Sequence, residues 1–487
     1  MGYKARITKR RFTVNKFKLA PLAVAASALF LTACDDDDKY DKFFPKGELR
    51  VIHASPDAPP VNVLLNGEAS IENLDYAESS GFTSLRVGSY DIQVEGIIPG
   101  GNATVIDVPG FQLEKGASPT IIAVNNVASI EPIVVAESSA SPGAGEVALV
   151  VTHAAPVAGA VDVYLTAPGD SISGYTPAFN FDFKDSVDAG ALAVGTVEIQ
   201  VAIGSTVVYN SGAIDLSAFA GQKLVIAAVN SENDTENAAA PIKLLAVTDD
   251  SALELRDADT SVGAKVVHAS PDAAAAAGGP VEVFATSSAL GMMPVELIDA
   301  FDYTDTVPST SAYVSVPAGD YIFDVAPDTD SIGDSVYTSP SLTFGAGMEY
   351  TAIAAGRVLS SPTFGLLATV DDNRAIATQG SVKITHAAPA AGDVDVFVTA
   401  AGAFSAAEVA AGLAGDPLLA DFAFGTITDY VAVAPGSYDI RVVAGGAVAI
   451  NIEGLAITGG DVLHAIARGP SEPSGAPSDF GVILLSN

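Results

Sequence analysis

One stretch of this chain, LRVIHASPDAPPVNV from Leu49, occurs four times, and the related stretches begin at Ala148, Ala264 and Val382. Solenoid repeats of roughly 20 to 50 residues cannot fold singly, whereas a unit of roughly 100 residues can bury its own core. The four copies follow one another at intervals of roughly 100 to 120 residues. They therefore predict tandem domains rather than a solenoid.

Small or polar segments, such as AESSASPGAGE from Ala136, separate the copies and give the predicted domain boundaries. The predicted organisation is a signal peptide at 1–33, a lipidated cysteine with an acidic tether at 34–47, repeat 1 at 48–136, repeat 2 at 146–250, repeat 3 at 262–372 and repeat 4 at 380–487.

The opening strand of each repeat alternates its side chains between two faces. In repeat 1, Leu49, Val51 and His53 share one face. Such alternation is typical of a strand with one buried and one solvated face. We therefore expect each histidine to point inward and the opposite face to be wet. The positions on that opposite face include Arg50, Thr152, Lys265, Lys383 and Thr385.

Two later strands also recur. The second strand places a polar residue between two valines, as in Val281-Glu282-Val283, and predicts valines facing in with the acid facing out. A further strand starts at a glycine and in three repeats carries a tyrosine two positions on. This tyrosine resembles the tyrosine corner of immunoglobulin-like sandwiches, in which the hydroxyl bonds to backbone. The three tyrosines are Tyr90, Tyr321 and Tyr438.

Each repeat contains about seven apolar runs bounded by Gly, Pro, Asn and Asp, which is typical of Greek-key sandwiches. The predicted fold class is all-β, with four tandem immunoglobulin-like antiparallel β-sandwiches after a lipoprotein signal peptide. The best helix candidate is 405–413, where Ser405 and Glu408 have the spacing of a capping box.

The residues before Cys34 have the composition of an export signal. Seven of the 23 basic residues and none of the 58 acidic ones lie there, and the apolar run at 19–31 is short for a spanning helix of about 20 residues. Leu31-Thr32-Ala33-Cys34 resembles the bacterial lipobox, which implies cleavage before Cys34 and acylation of it. Two or more acyl chains give stable anchoring. A plain secretory leader with a chance cysteine is the alternative.

The anchor predicts a location in the bacterial cell envelope, at the inner or the outer membrane, facing the periplasm or the surface. The formal net charge of −35 repels phosphate backbones, so nucleic acid is excluded as a partner. The expected partners are the membrane, through Cys34, and an unidentified protein or polysaccharide.

The HASPDAP start of repeat 1, the aromatic middle segments such as Phe301-Asp302-Tyr303, and the strand that starts at Gly436 are similar to the bacterial domain of unknown function DUF4397. The similarity covers nearly all of 48–487 as four copies, although repeats 2 and 4 have HAAP where the family has HASPD. The resemblance implies envelope or secreted proteins built from immunoglobulin-like domains. It brings no established activity.

His53-Ala54-Ser55-Pro56-Asp57 invites comparison with a hydrolytic triad. Side chains at this spacing cannot converge as a triad without strain. In repeat 2 the serine and acid positions hold Ala155 and Val157. We therefore expect no catalytic site and no enzyme. The recurring motif is predicted to be structural, with each ring bonding the backbone of the turn that follows. Its residues are His53, Pro56, His153, Pro156, His268, Pro271, His386 and Pro389.

No cofactor and no metal site is predicted, and calcium binding is kept as one hypothesis. The segment from Asp328 to Asp334 has a faint likeness to a calcium loop, but position twelve is Ser339 where an EF-hand needs Glu, so a hairpin turn is favoured. Acids between the domains could also hold calcium. They are Asp249, Asp250, Asp257, Asp259, Asp371 and Asp372.

These observations favour a lipid-anchored envelope protein that works by binding, adhesion or scaffolding. Two alternatives stay open. One is an accessory protein that binds carbohydrate or another polymer. The other is a calcium-stabilised extracellular repeat protein.

Overall fold

The computed structural model describes residues 44–231, 240–472 and 478–486. The predicted signal peptide, Cys34 and nearly all of the tether lie outside the described residues. From Pro45 on the chain forms one compact unit. Strands make up 53% of the structure and helices 5%, so the predicted all-β class is confirmed.

Repeat 1 is a sandwich of two four-stranded sheets. Its strands are β1 (Lys46–His53), β2 (Val61–Leu65), β3 (Glu68–Leu74), β4 (Thr83–Arg86), β5 (Gly88–Gly96), β6 (Ala103–Leu113), β7 (Thr120–Val124) and β8 (Glu131–Val135), with a 3-10 turn at Val127–Ser129. One sheet has the order β4-β1-β7-β8, and the other has the order β3-β2-β5-β6. We call the sheet with the histidine strand the histidine sheet, and its partner the second sheet, in every repeat.

Repeat 2 follows the same plan with an additional edge strand. Its elements are β9 (Glu146–His153), β10 (Val161–Thr166), β11 (Phe179–Phe181), β12 (Ser186–Ala193), β13 (Thr196–Ile203), β14 (Thr206–Asp215), a 3-10 turn (Leu216–Phe219), β15 (Lys223–Asn230), β16 (Ile242–Val247) and β17 (Ala252–Leu255). The histidine sheet is β12-β9-β15-β16-β17 and the second sheet is β11-β10-β13-β14. The strand β17 lies in the segment predicted to connect repeats 2 and 3.

Repeat 3 has the same two sheets with shorter pieces. Its elements are β18 (Val262–His268), α1 (Ala273–Ala277), β19 (Val281–Ser287), a 3-10 turn (Ser288–Leu290), β20 (Val295–Phe301), β21 (Thr306–Val307), β22 (Val314–Val316), β23 (Gly319–Pro327), a 3-10 turn (Ile332–Asp334), β24 (Tyr337–Thr338), β25 (Leu342–Phe344), β26 (Glu349–Ala355) and β27 (Gly365–Asp371). The histidine sheet is β21-β18-β26-β27, with β22 also on β18; the second sheet is β20-β19-β23-β24, with β25 also on β23.

Repeat 4 returns to the arrangement of repeat 1. Its elements are β28 (Gly380–His386), β29 (Val394–Ala400), α2 (Ala406–Ala410), β30 (Leu419–Phe422), β31 (Val431–Val433), β32 (Gly436–Ala444), β33 (Ala447–Ile457), β34 (Val462–Arg468) and β35 (Gly481–Ser486). The histidine sheet is β31-β28-β34-β35 and the second sheet is β30-β29-β32-β33. The predicted capping box is confirmed, because Ser405 and Glu408 bond each other's backbone N–H at the start of α2.

Within each repeat the strand pairs are antiparallel except one. The histidine strand runs parallel to the strand beside it, in the pairs β1 with β7, β9 with β15, β18 with β26, and β28 with β34. A parallel pair needs a crossover connection. Here the intervening strands supply it by forming the second sheet.

The tyrosine corner is confirmed in all three repeats that carry the tyrosine. Each hydroxyl donates to the carbonyl four residues earlier, from Tyr90 to Arg86 at 2.7 Å, from Tyr321 to Pro317 at 2.7 Å and from Tyr438 to Ala434 at 2.8 Å. The bond ties the approach to the strand to the strand itself. It lets a tyrosine ring pack inside while its polar end stays satisfied.

The prediction that one face of each opening strand is exposed to solvent is wrong. Arg50, Thr152, Lys265, Lys383 and Thr385 are all 0 to 2% exposed. They are buried because the histidine sheets of neighbouring repeats pack face to face. One shared core joins repeats 1 and 2 through residues such as Ile52 and Val225, and another joins repeats 3 and 4 through residues such as Val267 and Ile466. We call these assemblies pair 1–2 and pair 3–4.

Candidate functional site: the histidine turns and the faces between paired repeats

Each recurring histidine ends its strand and bonds the turn that follows. In repeat 1 the N–H of Ser55 donates to His53 Nδ1 at 3.3 Å, and Nε2 lies 3.0 Å from the carbonyl of Pro59. Because Nδ1 accepts, Nε2 carries the proton and donates. The side chain thus connects the backbone two residues on with the backbone six residues on.

The other repeats reproduce this geometry. His153 Nε2 lies 2.6 Å from the carbonyl of Gly159, and His386 Nε2 lies 2.8 Å from that of Gly392. In the same two repeats and in repeat 3, the N–H two residues on donates to Nδ1 at 3.2 to 3.4 Å. Both ring nitrogens are therefore occupied by backbone groups in repeats 1, 2 and 4.

The rings are fully enclosed, with exposures of 0 or 1%. Burial lowers the pKa of His53 and of His268 to about 4, and it also lowers the pKa of His153 and of His386. Burial disfavours the charged form of histidine, so these imidazoles stay neutral at pH 7. A neutral ring that already uses both nitrogens has no lone pair or proton to offer a substrate.

The prolines of the motif set the turn after the histidine. Pro56 and Pro156 occupy the second position of a four-residue turn, since Ala58 N–H bonds the carbonyl of Ser55 at 3.4 Å and Ala158 N–H bonds that of Ala155 at 3.3 Å. The fixed φ of proline suits this position. Pro389 makes the same turn, with Ala391 N–H bonded to the Ala388 carbonyl at 3.1 Å. In repeat 3, Pro271 precedes α1 instead.

The aspartates of the two HASPD segments, and the serine of the one in repeat 3, also bond backbone. Asp57 accepts from Val127 N–H at 2.6 Å, and Asp272 accepts from Val358 and Leu359 N–H at 2.8 and 3.0 Å. Ser270 Oγ donates to the carbonyl of Gly356 at 2.8 Å. These side chains hold the loop after the neighbouring parallel strand. They do not form a nucleophile, base and acid relay.

An aromatic side chain lies edge-on to each histidine and points toward the partner repeat. The ring centroids are 6.1 Å apart for His53 with Tyr76 and 6.0 Å apart for His268 with Tyr303. Repeats 2 and 4 use Phe183 and Phe424 at 6.1 Å. The first repeat of each pair thus has a tyrosine where the second has a phenylalanine.

The two tyrosines make the same bond across their pairs. Tyr76 Oη donates to the carbonyl of Asn230 in repeat 2 at 2.7 Å, and Tyr303 Oη donates to that of Gly469 in repeat 4 at 2.8 Å. Asn230 and Gly469 are equivalent, because each lies two residues beyond the residue paired with the histidine of its repeat. The joint between repeats 1 and 2 is therefore built in the same way as the joint between repeats 3 and 4.

Pair 3–4 buries an ionic network at this joint. Lys383 of repeat 4 reaches Asp371 of repeat 3 at 3.0 Å, and the two side chains are 3% and 0% exposed. Asp371 also accepts from the hydroxyls of Tyr313, at 2.9 Å, and Thr351. The ammonium of Lys383 lies 4.4 Å from the ring centroid of Tyr430. The carboxylate of Asp371 is thus satisfied by a cation and two hydroxyls.

A further histidine, His464, lies in the same network. Its Nε2 is 2.7 Å from Thr385 Oγ1. Burial lowers its pKa to about 4; Lys383 and Lys265 lower it further and Asp371 opposes them. Sequence reasoning gave this residue no role, because it has no counterpart in the other repeats. The signal that could have identified it is the pairing of β28 with β34, which places His464 directly beside Lys383.

Repeat 3 gathers carboxylates on the outer side of its second sheet. One oxygen from each of Glu282, Glu296 and Asp330 lies within 4.8 Å of the others. Glu282 accepts from the N–H groups of Asp330 at 3.0 Å and Ser331 at 3.1 Å. The prediction that the acid of this strand is wet is wrong, since Glu282 is 0% exposed beneath the loop before β24.

These three side chains are, among the described residues, the set that could hold a cation. Partial desolvation and then Asp299, Glu282 and Asp330 raise the pKa of Glu296, as expected for crowded carboxylates. The favoured hairpin at 328–334 is present, joining β23 to β24, and it supplies Asp330. Sequence reasoning missed Glu282 and Glu296, which lie far from that loop in the chain.

Three of the acids between domains accept bonds from groups of the chain itself. Asp257 accepts from Asn210 N–H at 2.7 Å, Asp372 accepts from Arg374 N–H at 3.1 Å, and Asp371 belongs to the ionic network. Within the described residues they do not assemble a group of three carboxylates. Cys34, the predicted lipidation site, lies outside the described residues.

A sequence model described as "Domain of unknown function (DUF4397)" matches residues 47–164 and 262–397, which is just over half of the chain. The chain belongs to the DUF4397 family. Each match starts with the first repeat of a pair and runs on into the second strand of the second repeat. The DUF4397 matches thus cross the joint between paired repeats.

Two of the solved structures that match this chain have low similarity to it. The TIE protein of Bacillus anthracis is 11% identical over 87% of this chain and 68% of its own, with a TM-score of 0.15. A proposed cell adhesion protein from Bacteroides fragilis is 8% identical over 47% of this chain and 97% of its own, with a TM-score of 0.12. Scores this low carry no argument about function. No curated protein matches.

No helix in the described part of the chain is both long and apolar enough to cross a membrane. Its two α-helices have five residues each.

Proposed function

We propose that this DUF4397 protein is a lipid-anchored envelope protein that displays two stiff pairs of sandwiches for adhesion or scaffolding, without a catalytic centre. The observation that carries the proposal is the pairing itself. The central strands of each histidine sheet are buried on both faces, and each pair is fastened by a tyrosine bond across the joint. Domains joined through buried apolar faces move together rather than independently.

The chemistry of the recurring motif supports a structural role. The imidazoles are enclosed and neutral, and Asp57, Ser270 and Asp272 near them bond backbone. The recurring polar residues of the four repeats stabilise turns. The outer surfaces of the repeats are therefore the parts that are able to bind a partner. A strongly acidic surface favours cationic or neutral partners.

The anchor is tested by labelling cells that express the protein with a radioactive fatty acid. The wild type is expected to carry label and to sediment with membranes. A Cys34→Ser variant is the control, and it is expected to lose the label because the acyl acceptor is gone. An unlabelled wild type would contradict the anchoring.

The adhesion role is tested on cells that display the full chain. Display is expected to increase binding to the partner surface, and crosslinking in the native cell then identifies what the protein touches. A glycan array with the soluble chain 41–487 separates the alternatives. Saturable binding to one glycan class would favour the polymer-binding function over protein adhesion. Binding neither to glycans nor to a partner cell surface would contradict the proposal.

A further inference from the structure

Repeat 4 contains an apolar cavity between its two sheets. Its volume is about 190 Å³, and every side chain that lines it is aliphatic. The lining residues that matter here are Val382, Val398, Ile440, Ala465 and Leu484. A water molecule inside would need two to four polar partners, which this lining does not offer.

The same cavity occurs in repeat 2, with a volume of about 210 Å³. Strand register and motif alignment make Leu149, Leu165, Ile199, Ile226 and Ala246 the counterparts of the five residues above. Natural cores rarely keep voids much larger than a water molecule. A void that recurs at matching positions of two repeats is a built feature of these sandwiches, and repeat 3 has a smaller apolar void of about 80 Å³ between its sheets.

The two cavities differ in the residues at their rims. In repeat 2 the edge strand β17 pairs with β16, and Leu255 of β17 lines the cavity together with Leu216 and Phe219 of the 3-10 turn. In repeat 4 three residues that line the cavity are exposed, with values of 50% for Leu418, 38% for Val431 and 48% for Leu484. They form an apolar mouth.

We propose that the cavity of repeat 4 binds an uncharged alkyl chain of about six carbons. The volume fits this size if each carbon takes roughly the 30 Å³ share of a water molecule in the liquid. An engineered apolar cavity of about 150 Å³ binds benzene, so a void of this size can hold a ligand. The net charge of −35 disfavours a carboxylate head at the mouth.

The test uses 1-hexanol as the probe and the soluble chain 41–487, which contains every described strand. Titration calorimetry is expected to show saturable binding at one site. Affinity is expected to rise about fourfold for each methylene from 1-butanol to 1-hexanol, which is the factor that corresponds to about 0.8 kcal/mol. The gain should stop once the cavity is full. Hexanoate is expected to bind at least tenfold more weakly.

Three variants locate the site. Ala465→Leu fills the cavity of repeat 4 and is expected to abolish hexanol binding. Leu484→Asp, at a half-exposed position that tolerates polarity, is expected to weaken binding at least tenfold without unfolding the repeat. Ala246→Leu fills the counterpart cavity of repeat 2 and is the matched control, which should leave binding to repeat 4 unchanged.

Absence of saturable binding in the wild type would overturn the proposal and show a loosely packed core instead. Binding that survives both Ala465→Leu and Leu484→Asp would also overturn it. Circular dichroism of each variant shows whether loss of binding comes from the cavity or from unfolding.

Discussion

Pairs 1–2 and 3–4 have the same topology and the same tyrosine bond, yet they fill the shared face with different chemistry. The core of pair 1–2 is mainly aliphatic, with Ile122, Val225 and Leu245 fully or almost fully buried. Pair 3–4 has a smaller apolar core and places the Lys383–Asp371 ion pair and His464 beside it. The same kind of joint therefore accepts a face that is mainly apolar or one that has a fully buried ion pair beside it.

Pair 1–2 also buries two cations of its own, Arg50 and Lys243, and Lys243 pairs with the partly exposed Glu254. Arg50 donates to Thr120 Oγ1 at 3.0 and 3.1 Å, bonds the carbonyl of Thr248 in repeat 2, and lies 4.3 Å from the ring centroid of Phe82. Burial lowers the pKa of Arg50 to about 10, which still leaves it charged at pH 7. This guanidinium bonds hydroxyl and carbonyl oxygens, whereas Lys383 bonds a buried carboxylate.

The largest expected effect comes from breaking the ion pair. Asp371→Ala leaves the ammonium of Lys383 buried without its carboxylate, which costs about 3–5 kcal/mol. Hydrogen exchange should rise in β27, β28 and β34. The matched variant Leu245→Ala opens a hole in pair 1–2 at a cost of about 2–5 kcal/mol, and exchange should then rise in β7 and β15. Variants that loosen both pairs equally would contradict the division into pairs.

The next effect is a dependence on pH that is stronger in pair 3–4. The folded pKa of His53, His268 and His464 is about 4, below the usual 6.5, so the unfolded chain binds more protons between these values. Stability is therefore full above about pH 6.5 and is lost as the pH falls toward 4. Over this range each of these histidines lowers the free energy of unfolding by on the order of 3 kcal/mol.

Because His464 belongs to pair 3–4 alone, that pair should lose protection first as acid is added. His464→Gln is the control, and it should make the acid response of pair 3–4 resemble that of pair 1–2. Equal acid sensitivity of the two pairs in the wild type would argue against a role for His464. Exchange measured at several pH values, corrected for the intrinsic rate, gives the answer.

A smaller effect is expected from the tyrosines. Tyr76→Phe and Tyr303→Phe each remove one hydrogen bond across a joint, at a cost of about 0.5–1.5 kcal/mol. The two losses should be similar, because the bonds are equivalent. Tyr438→Phe is the control, since its hydroxyl bonds within repeat 4 and should leave the joint intact. Thermal unfolding followed with exchange at β15 and β34 distinguishes the cases.

The smallest effect concerns the carboxylates of repeat 3, which have no counterpart of this kind in pair 1–2 among the described residues. Glu296→Gln should slightly raise the melting temperature in a chelator, because it removes like-charge repulsion. Glu68→Gln, at an exposed hairpin of repeat 1, should not.

The calcium hypothesis adds one expectation at this place. Millimolar calcium should raise the melting temperature of the wild type more than that of Glu296→Gln, and a chelator should reverse the gain. A wild type that melts at the same temperature with calcium and with chelator would end the hypothesis.

Much of each sandwich was predictable from local patterns. The period-two strands, the tyrosine corner and the capping box at Ser405 depend on residues close in sequence, and the structure has all three. The inward histidine followed from its phase with Leu49 and Val51. The carboxylate group of repeat 3 could not be predicted, because β19, β20 and the loop after β23 meet only after the sheet has formed.

The sequence contains a signal for the pairing of repeats, but this signal appears only when whole repeats are compared with one another. Repeats 1 and 3 have HASPD and a tyrosine at 76 or 303, whereas repeats 2 and 4 have HAAP and a phenylalanine at 183 or 424. Such alternation is typical of unlike partners. Only the contacts of Tyr76 and Tyr303 show which repeats are joined.

The sequence by itself determined the number of repeats, their strands and the inward direction of each imidazole, because alternation and turn chemistry act over a few residues. The tertiary structure alone decided what lies on the other side of each histidine sheet. A polar residue on a strand is compatible with solvent or with a buried ionic partner, and the pattern is the same in both cases. The difference depends on residues such as Asp371 and Thr248, which reach the strand from another repeat.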